Sequence, residues 1–210
     1  GTERYLAGWC PTRIGDGDED QWGGSLVCHR MLFNADGTID LKLPDGIDKK
    51  FTTLKKTVLI DKSGKAVKKE DSYVLSDVAS VSFPRLDKTC KIEATVKATG
   101  NDDAFGFAFG ACDDKTEVYS IRFDLKNKQL VMSKDDLTRG TTPTQTNVAL
   151  TVPADKLFKV KIVAEKSVCV MYVNDKIAFS NRIDKMPKNP WAIFTDKGTE
   201  ISFSDIKVYE

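Results

Sequence analysis

Apolar and polar residues alternate with a period of two along much of this chain, and no stretch of roughly a dozen residues carries the helical period. The pattern is clearest over residues 158–180. Phe158, Val160, Ile162 and Ala164 fall on one face of a strand, and Glu165-Lys166-Ser167 turns the chain back. In the next strand Val168, Val170 and Tyr172 oppose Cys169, Met171 and Val173, so both faces are apolar. Asn174-Asp175-Lys176 makes the second turn, from residues that tolerate left-handed backbone. A strand that is apolar on both faces belongs inside a sandwich, not on an open sheet.

The same period recurs elsewhere. Cys90, Ile92, Ala94 and Val96 alternate with Lys91, Glu93, Thr95 and Lys97, which gives one dry and one wet face. Phe105, Phe107 and Phe109 share a face, while Ala104, Gly106, Ala108 and Gly110 make the other face nearly flat, open to close packing by something bulky. Tyr119 to Leu125, Gln129 to Met132, Val148 to Val152 and Trp191 to Phe194 add further strands, and Val58-Leu59-Ile60 precedes a turn at Asp61-Lys62-Ser63-Gly64. Near the C terminus the apolar phase slips, from Ile201 and Phe203 to Ile206 and Val208, which predicts a bulge or bend at Ser204-Asp205. About ten short strands with regular turns predict an all-β fold, a two-sheet antiparallel β-sandwich of jelly-roll or concanavalin-like form.

Residues 1–47 read differently. Tyr5 to Cys10, Ser25 to Phe33 and Thr38 to Leu43 are short strands, with a turn at Asn34-Ala35-Asp36-Gly37 and a stop at Pro44. They form a hairpin extension that buries little by itself. The division is therefore 1–47 as extension and linker, and 48–210 as the sandwich.

Composition narrows the function. The chain has 210 residues, 40% hydrophobic and 30% charged, long enough for a core without disulfide staples. The 32 basic and 31 acidic residues leave a formal charge of +1, so no field draws phosphate backbones and no nucleic-acid partner is expected. No apolar run reaches the ~18 residues of a membrane helix. The first residues, Gly1-Thr2, lack a methionine and read as part of something longer.

Candidate chemistry is sparse. His29 is the only histidine, in a strand pattern, and reads as a hydrogen-bonded strand residue; a multi-histidine zinc site is excluded by count. The five cysteines make no C-x-x-C pair and read as small buried residues, with Cys10 and Cys28 as candidates for a cross-strand disulfide. Asp16, Asp18 and Asp20 alternate as in a calcium loop, but Gln21 replaces the glycine and Val27 the closing glutamate, so a solvated loop is the main reading. No cofactor is implied. Trp9, Trp22, Tyr172 and Trp191 are the aromatics weighed for stacking on sugar rings, against the commoner role of core residues.

Several runs, taken in order, resemble one family. Arg4-Tyr5-Leu6-Ala7-Gly8-Trp9, then Trp22-Gly23-Gly24-Ser25-Leu26 and His29-Arg30, look like the "R-x-L-x-G-W … W-A-G … P-R-E" run that ends the catalytic propeller of glycoside hydrolase family 32, the invertases, levanases and inulinases. Asp36-Gly37 and Leu41-Lys42-Leu43-Pro44 are similar to the segment leading out of that propeller. Phe105 to Phe109, Tyr119 to Leu125 and Gln129-Leu130 resemble a stretch of the family's C-terminal sandwich, and Val160 to Asp175 resembles its "D-x-S-x-V-E-V-F-V-N-D-G" strand pair. The tail, Trp191 to Tyr209, is similar to its closing hairpin. His29-Arg30-Met31, Cys169 and Lys176 depart from the pattern.

The family's "N-D-P-N-G", "R-D-P" and "E-C" motifs, which carry its catalytic carboxylates, do not occur here, and without such a pair the retaining mechanism cannot run. The resemblance therefore implies a non-catalytic sandwich module that packs against and stabilises a propeller. Residues 1–47 would be remnant strands of the last blade, folded onto the sandwich or paired with another copy. It also implies an extracytoplasmic setting. A carbohydrate-binding module for fructan or another glycan is the alternative, and an independent enzyme the weakest reading.

Overall fold

The computed structural model describes residues 2–13, 20–86, 88–110, 118–135, 144–183 and 190–210. Three strands open the chain: β1 (Arg4–Arg13), β2 (Asp20–Phe33) and β3 (Ile39–Lys42). They pair antiparallel in the order β1-β2-β3. The β2–β3 turn follows from its Asp-Gly pair. Gly37 takes a φ of +86°, and the Asp36 carboxylate accepts hydrogen bonds from the Thr38 N–H and hydroxyl. Beyond Pro44 comes one short helix, α1 (Asp45–Asp48).

The remaining strands form a second, larger sheet. They are β4 (Leu54–Lys55), β5 (Asp61–Lys69), β6 (Ser72–Phe83), β7 (Cys90–Lys97), β8 (Ala104–Phe109), β9 (Val118–Asp124), β10 (Gln129–Asp135), β11 (Thr144–Ala149), β12 (Leu157–Glu165), β13 (Val168–Val173), β14 (Ile177–Arg182), β15 (Trp191–Lys197) and β16 (Ile201–Tyr209). The hydrogen-bonded order is β11-β10-β9-β8-β15-β6-β16-β7-β12-β13-β14, with β5 beside β6 and β4 beside β16.

This sheet folds over on itself at β6. Ala79 to Phe83 pair with β15, whereas Ser72 to Leu75 pair with β16. Between them Asp77 adopts a left-handed φ of 54°. One layer thus holds β8, β9, β10, β11 and β15, the other β7, β12, β13, β14 and β16, and the β5–β6 hairpin closes one side. Aromatic rings of the two layers meet in the middle. Phe105 and Phe123 contact Phe158, and Phe105 and Phe107 contact Phe203, at centroid separations of 5.2–6.2 Å. Their tilted and edge-on geometry suits the ring quadrupole. Each such side chain, buried completely, contributes about 2–3 kcal/mol over an exposed one. The architecture is the two-sheet antiparallel sandwich read from the alternation.

Two local expectations hold in detail. Ser204 opposes Thr95 and Lys207 opposes Glu93, so Asp205 and Ile206 share one partner position: a β-bulge, with Asp205 at φ 52°. Lys166, Asn174 and Asp175 all take left-handed φ in the two turns around β13. One expectation fails. Asp61 to Gly64 is not a turn but the start of β5, paired with Ala79 to Ser82. The glycine there, at φ +65°, does not make a reversal but faces a bulge in β6, where Asp77 and Val78 fall between its partner Ala79 and Ser76, the partner of Lys65.

Candidate functional site

The three-stranded sheet lies on the outer face of the second layer, and this explains why β13 is apolar on both sides. Cys169, Met171 and Val173 point into the main core. Val168, Val170 and Tyr172 point outward and meet Cys10, Val27 and Leu43 in a second apolar cluster. Polar contacts pin the two parts. His29 Nδ1 lies 3.0 Å from the Tyr172 hydroxyl and Nε2 3.2 Å from Ser180 Oγ. Arg182, at the end of β14, donates from Nε to the Pro11 carbonyl at 2.6 Å and from Nη2 to the Cys10 carbonyl at 2.7 Å, and also reaches Ser167. The Leu41 N–H donates to the Lys176 carbonyl at 2.9 Å.

The helix α1 is tethered to the same layer. Lys91, nearly buried, pairs with Asp48 and Glu93, and Lys161 pairs with Asp48 at 3.1 Å. Burial pushes the Asp48 carboxyl up, but its hydrogen bonds to Lys91 and Lys161 outweigh burial and hold it below its ordinary value. Burial lowers Lys91, and its two carboxylate partners more than reverse this. Burial lowers His29, and burial with a smaller contribution from Cys28 raises Tyr172, so both stay neutral near pH 7.

The opposite face of the three-stranded sheet is uncovered. Tyr5, Trp9 and Leu26 share it, since Tyr5 opposes Arg30 and Trp9 opposes Leu26 across β1 and β2. Trp9 is 55% exposed and Leu26 78%. Among the described residues, β1 pairs with β2 alone and leaves its other edge open.

The four aromatics weighed for sugar stacking are not brought together. Tyr172 is buried under the three-stranded sheet, so no ligand reaches its ring. Trp191 is in the main core, stacked on Phe83 at 4.5 Å. Both are corrections to the stacking expectation, and packing is the reason. Trp9 alone offers an exposed ring, and the side chain of Trp22 lies outside the described residues. The Cys10–Cys28 disulfide is not formed. Both thiols are free, and the register pairs Cys10 with Ser25 and Cys28 with Ala7, three positions out of step. Asp16, Asp18 and the Asp20 side chain lie outside the described residues; among those described, no cluster of three metal-ligating side chains occurs.

A second feature escaped the sequence reading. On the outer face of the first layer, β6, β8, β9 and β15 line a groove of 330 Å³ that includes Ser80, Ser120, Arg122, Phe194 and Asp196. The nearly flat row of Gly106 and Ala108 was the available signal for it.

A family model described as GH32, BT1760-like, C-terminal domain matches residues 37–208. Comparison with curated proteins finds no match. Among solved structures, the exo-inulinase from Aspergillus awamori superposes at a TM-score of 0.67 with 15% identity, covering 99% of this chain and 40% of that one. A fructosyltransferase from A. japonicus gives 0.63 and 12%, covering 99% and 34%. The carbohydrate binding module CBM66 from Bacillus subtilis gives 0.58 and 11%, covering 76% and 99%. At such identities the likeness is one of fold, and the chain spans only 34–40% of the two enzymes. The family match is of another kind, since it covers residues 37–208, from the turn before β3 into β16: the chain belongs to the GH32, BT1760-like, C-terminal domain family.

Proposed function

We propose that this chain is the non-catalytic sandwich module of a family-32-like glycoside hydrolase, and that it packs against and stabilises a catalytic propeller carried elsewhere in the parent polypeptide. The observation that carries this reading is the uncovered side of the three-stranded sheet. Tyr5, Trp9 and Leu26 form an apolar patch beside the open edge of β1. Such a face and edge invite a partner, through apolar burial and strand pairing together. Support also comes from two enzymes of about two and a half to three times this length, onto which 99% of the chain superposes, its three-stranded sheet included.

The test is made in the parent. Trp9→Asp combined with Leu26→Asp lowers its thermal midpoint and its glycosidase activity in parallel if the patch is the docking face. An unchanged midpoint and unchanged activity would sink the reading. Self-association of the 210-residue chain, abolished by the same pair, would instead identify a second copy as the partner.

A second reading is binding of fructan or another glycan. The likeness to a carbohydrate binding module along 99% of that module's length supports it, as does the groove on the first layer. Affinity gels containing inulin or levan test it: unretarded migration on both counts against it.

A further inference from the structure

We propose that the groove on the outer face of the first layer binds the uncharged, hydroxyl-rich end of a glycan, with Arg122, Asp196 and Phe194 as the residues that read it. This rests on the glycan-binding reading above and gives it a place and a ligand class.

The groove follows from register. Across neighbouring strands Ser82, Ala192, Ala108, Ser120 and Ser133 stand opposite one another in one row. In the next row stand Ser80, Phe194, Gly106, Arg122 and Val131. Phe194 and Arg122 are therefore the bulky side chains in a field of small ones, with Gly106 between them. That difference in size makes the depression. At 330 Å³ it lies at the small end of ligand pockets, which run from ~300 to ~1,000 Å³, and suits a terminal sugar unit rather than a long segment of polymer.

One buried donor in its lining lacks a partner. Arg122 Nε is buried without an acceptor among the described residues, while its Nη1 donates to Asp196 Oδ2 at 3.1 Å. Beside it the Ser120 hydroxyl pairs with that of Ser133 at 2.9 Å. A buried donor without an acceptor is costly, so it marks a position where a ligand oxygen gains free energy.

The chemistry selects among ligands. A guanidinium beside a carboxylate presents donors and acceptors side by side, as adjacent sugar hydroxyls require, since each hydroxyl both donates and accepts. The two charges neutralise each other, so nothing favours a uronate, sulfate or phosphate group. Phe194, half-buried, adds an apolar ring for the C–H face of a pyranose or furanose. The groove and the patch around Trp9 lie against different layers, so the two surfaces are independent.

The test is a nuclear magnetic resonance titration of the 210-residue chain with sucrose, 1-kestose, cellobiose and maltose. Saturable shifts centred on Gly106, Ala108, Ser120 and Ala192 are expected for at least one sugar. Arg122→Met and Phe194→Ala each weaken binding about tenfold or more, with the thermal midpoint measured to confirm folding, while Leu54→Ala at the distant β4 leaves it unchanged. Saturable shifts that gather elsewhere, or binding that both groove variants retain, overturn the site but leave the glycan-binding reading standing. No saturable shift with any of the four sugars and no retardation on inulin or levan gels overturn both.

Discussion

His29 is the residue on which the join between the three-stranded sheet and the sandwich turns with pH. Burial depresses its pKa, so the unfolded chain takes up a proton at a higher pH than the folded one. Its contribution is complete above the unfolded value of about 6.5 and is lost as pH falls below it toward the folded value. Urea midpoints measured from pH 8 to pH 5 fall with acidity in this chain, and His29→Gln flattens that part of the curve; an identical slope in both contradicts the assignment. Arg182 is the second pin. It ties β14 to two carbonyls of β1, and hydrogen bonds of a charged donor contribute ~1.5–3 kcal/mol each. Arg182→Met therefore costs about 2–3 kcal/mol in urea unfolding, and proteolysis near β1 becomes faster than elsewhere. Residue roles were the part of the site least legible in the sequence. Tyr172 and Trp191 look alike there as candidate platforms, because a sequence shows which strand face is apolar but not what covers it. Tyr172 is covered by residues 143 and 144 positions earlier, His29 and Cys28.

Among the elements, β13 and β16 were legible and the β5–β6 hairpin was not. The apolar set of β16 changes face in the middle of the strand, and a bulge is the economical way to keep both halves dry. β5 hides itself. It carries Lys62, Lys65, Lys68 and Lys69, and Ala66 is its one buried residue, so no alternation reports it. Its role is geometric, as the hairpin bends from one layer to the other. Gly64 sits in that bend at φ +65°, and a Cβ there would come within 2.1 Å of the Val78 carbonyl oxygen. Gly64→Ala is expected to destabilise by about 1–3 kcal/mol, read as a lowered urea midpoint with unchanged slope. A neutral result would mean that the hairpin is not the hinge between layers.

At the scale of the molecule, the order of short motifs was more informative than any one of them. The strand pair over 160–175, the flat row near Gly106 and the closing run from Trp191 each match loosely, yet together they pointed to the family that the match over residues 37–208 shows. The groove could not be read the same way. Ser80, Arg122 and Asp196 are more than a hundred positions apart end to end, and only the order of strands in the first layer makes them neighbours. The central claim is that one side of the three-stranded sheet is spent on the sandwich and the other is held out for a propeller. Amide hydrogen exchange, followed in the 210-residue chain and in the parent protein, tests it most directly. The account predicts fast exchange along the open edge of β1 in the isolated chain and strong protection of the same amides in the parent, with β12–β14 slow in both. Equal exchange of β1 in the two proteins would contradict it.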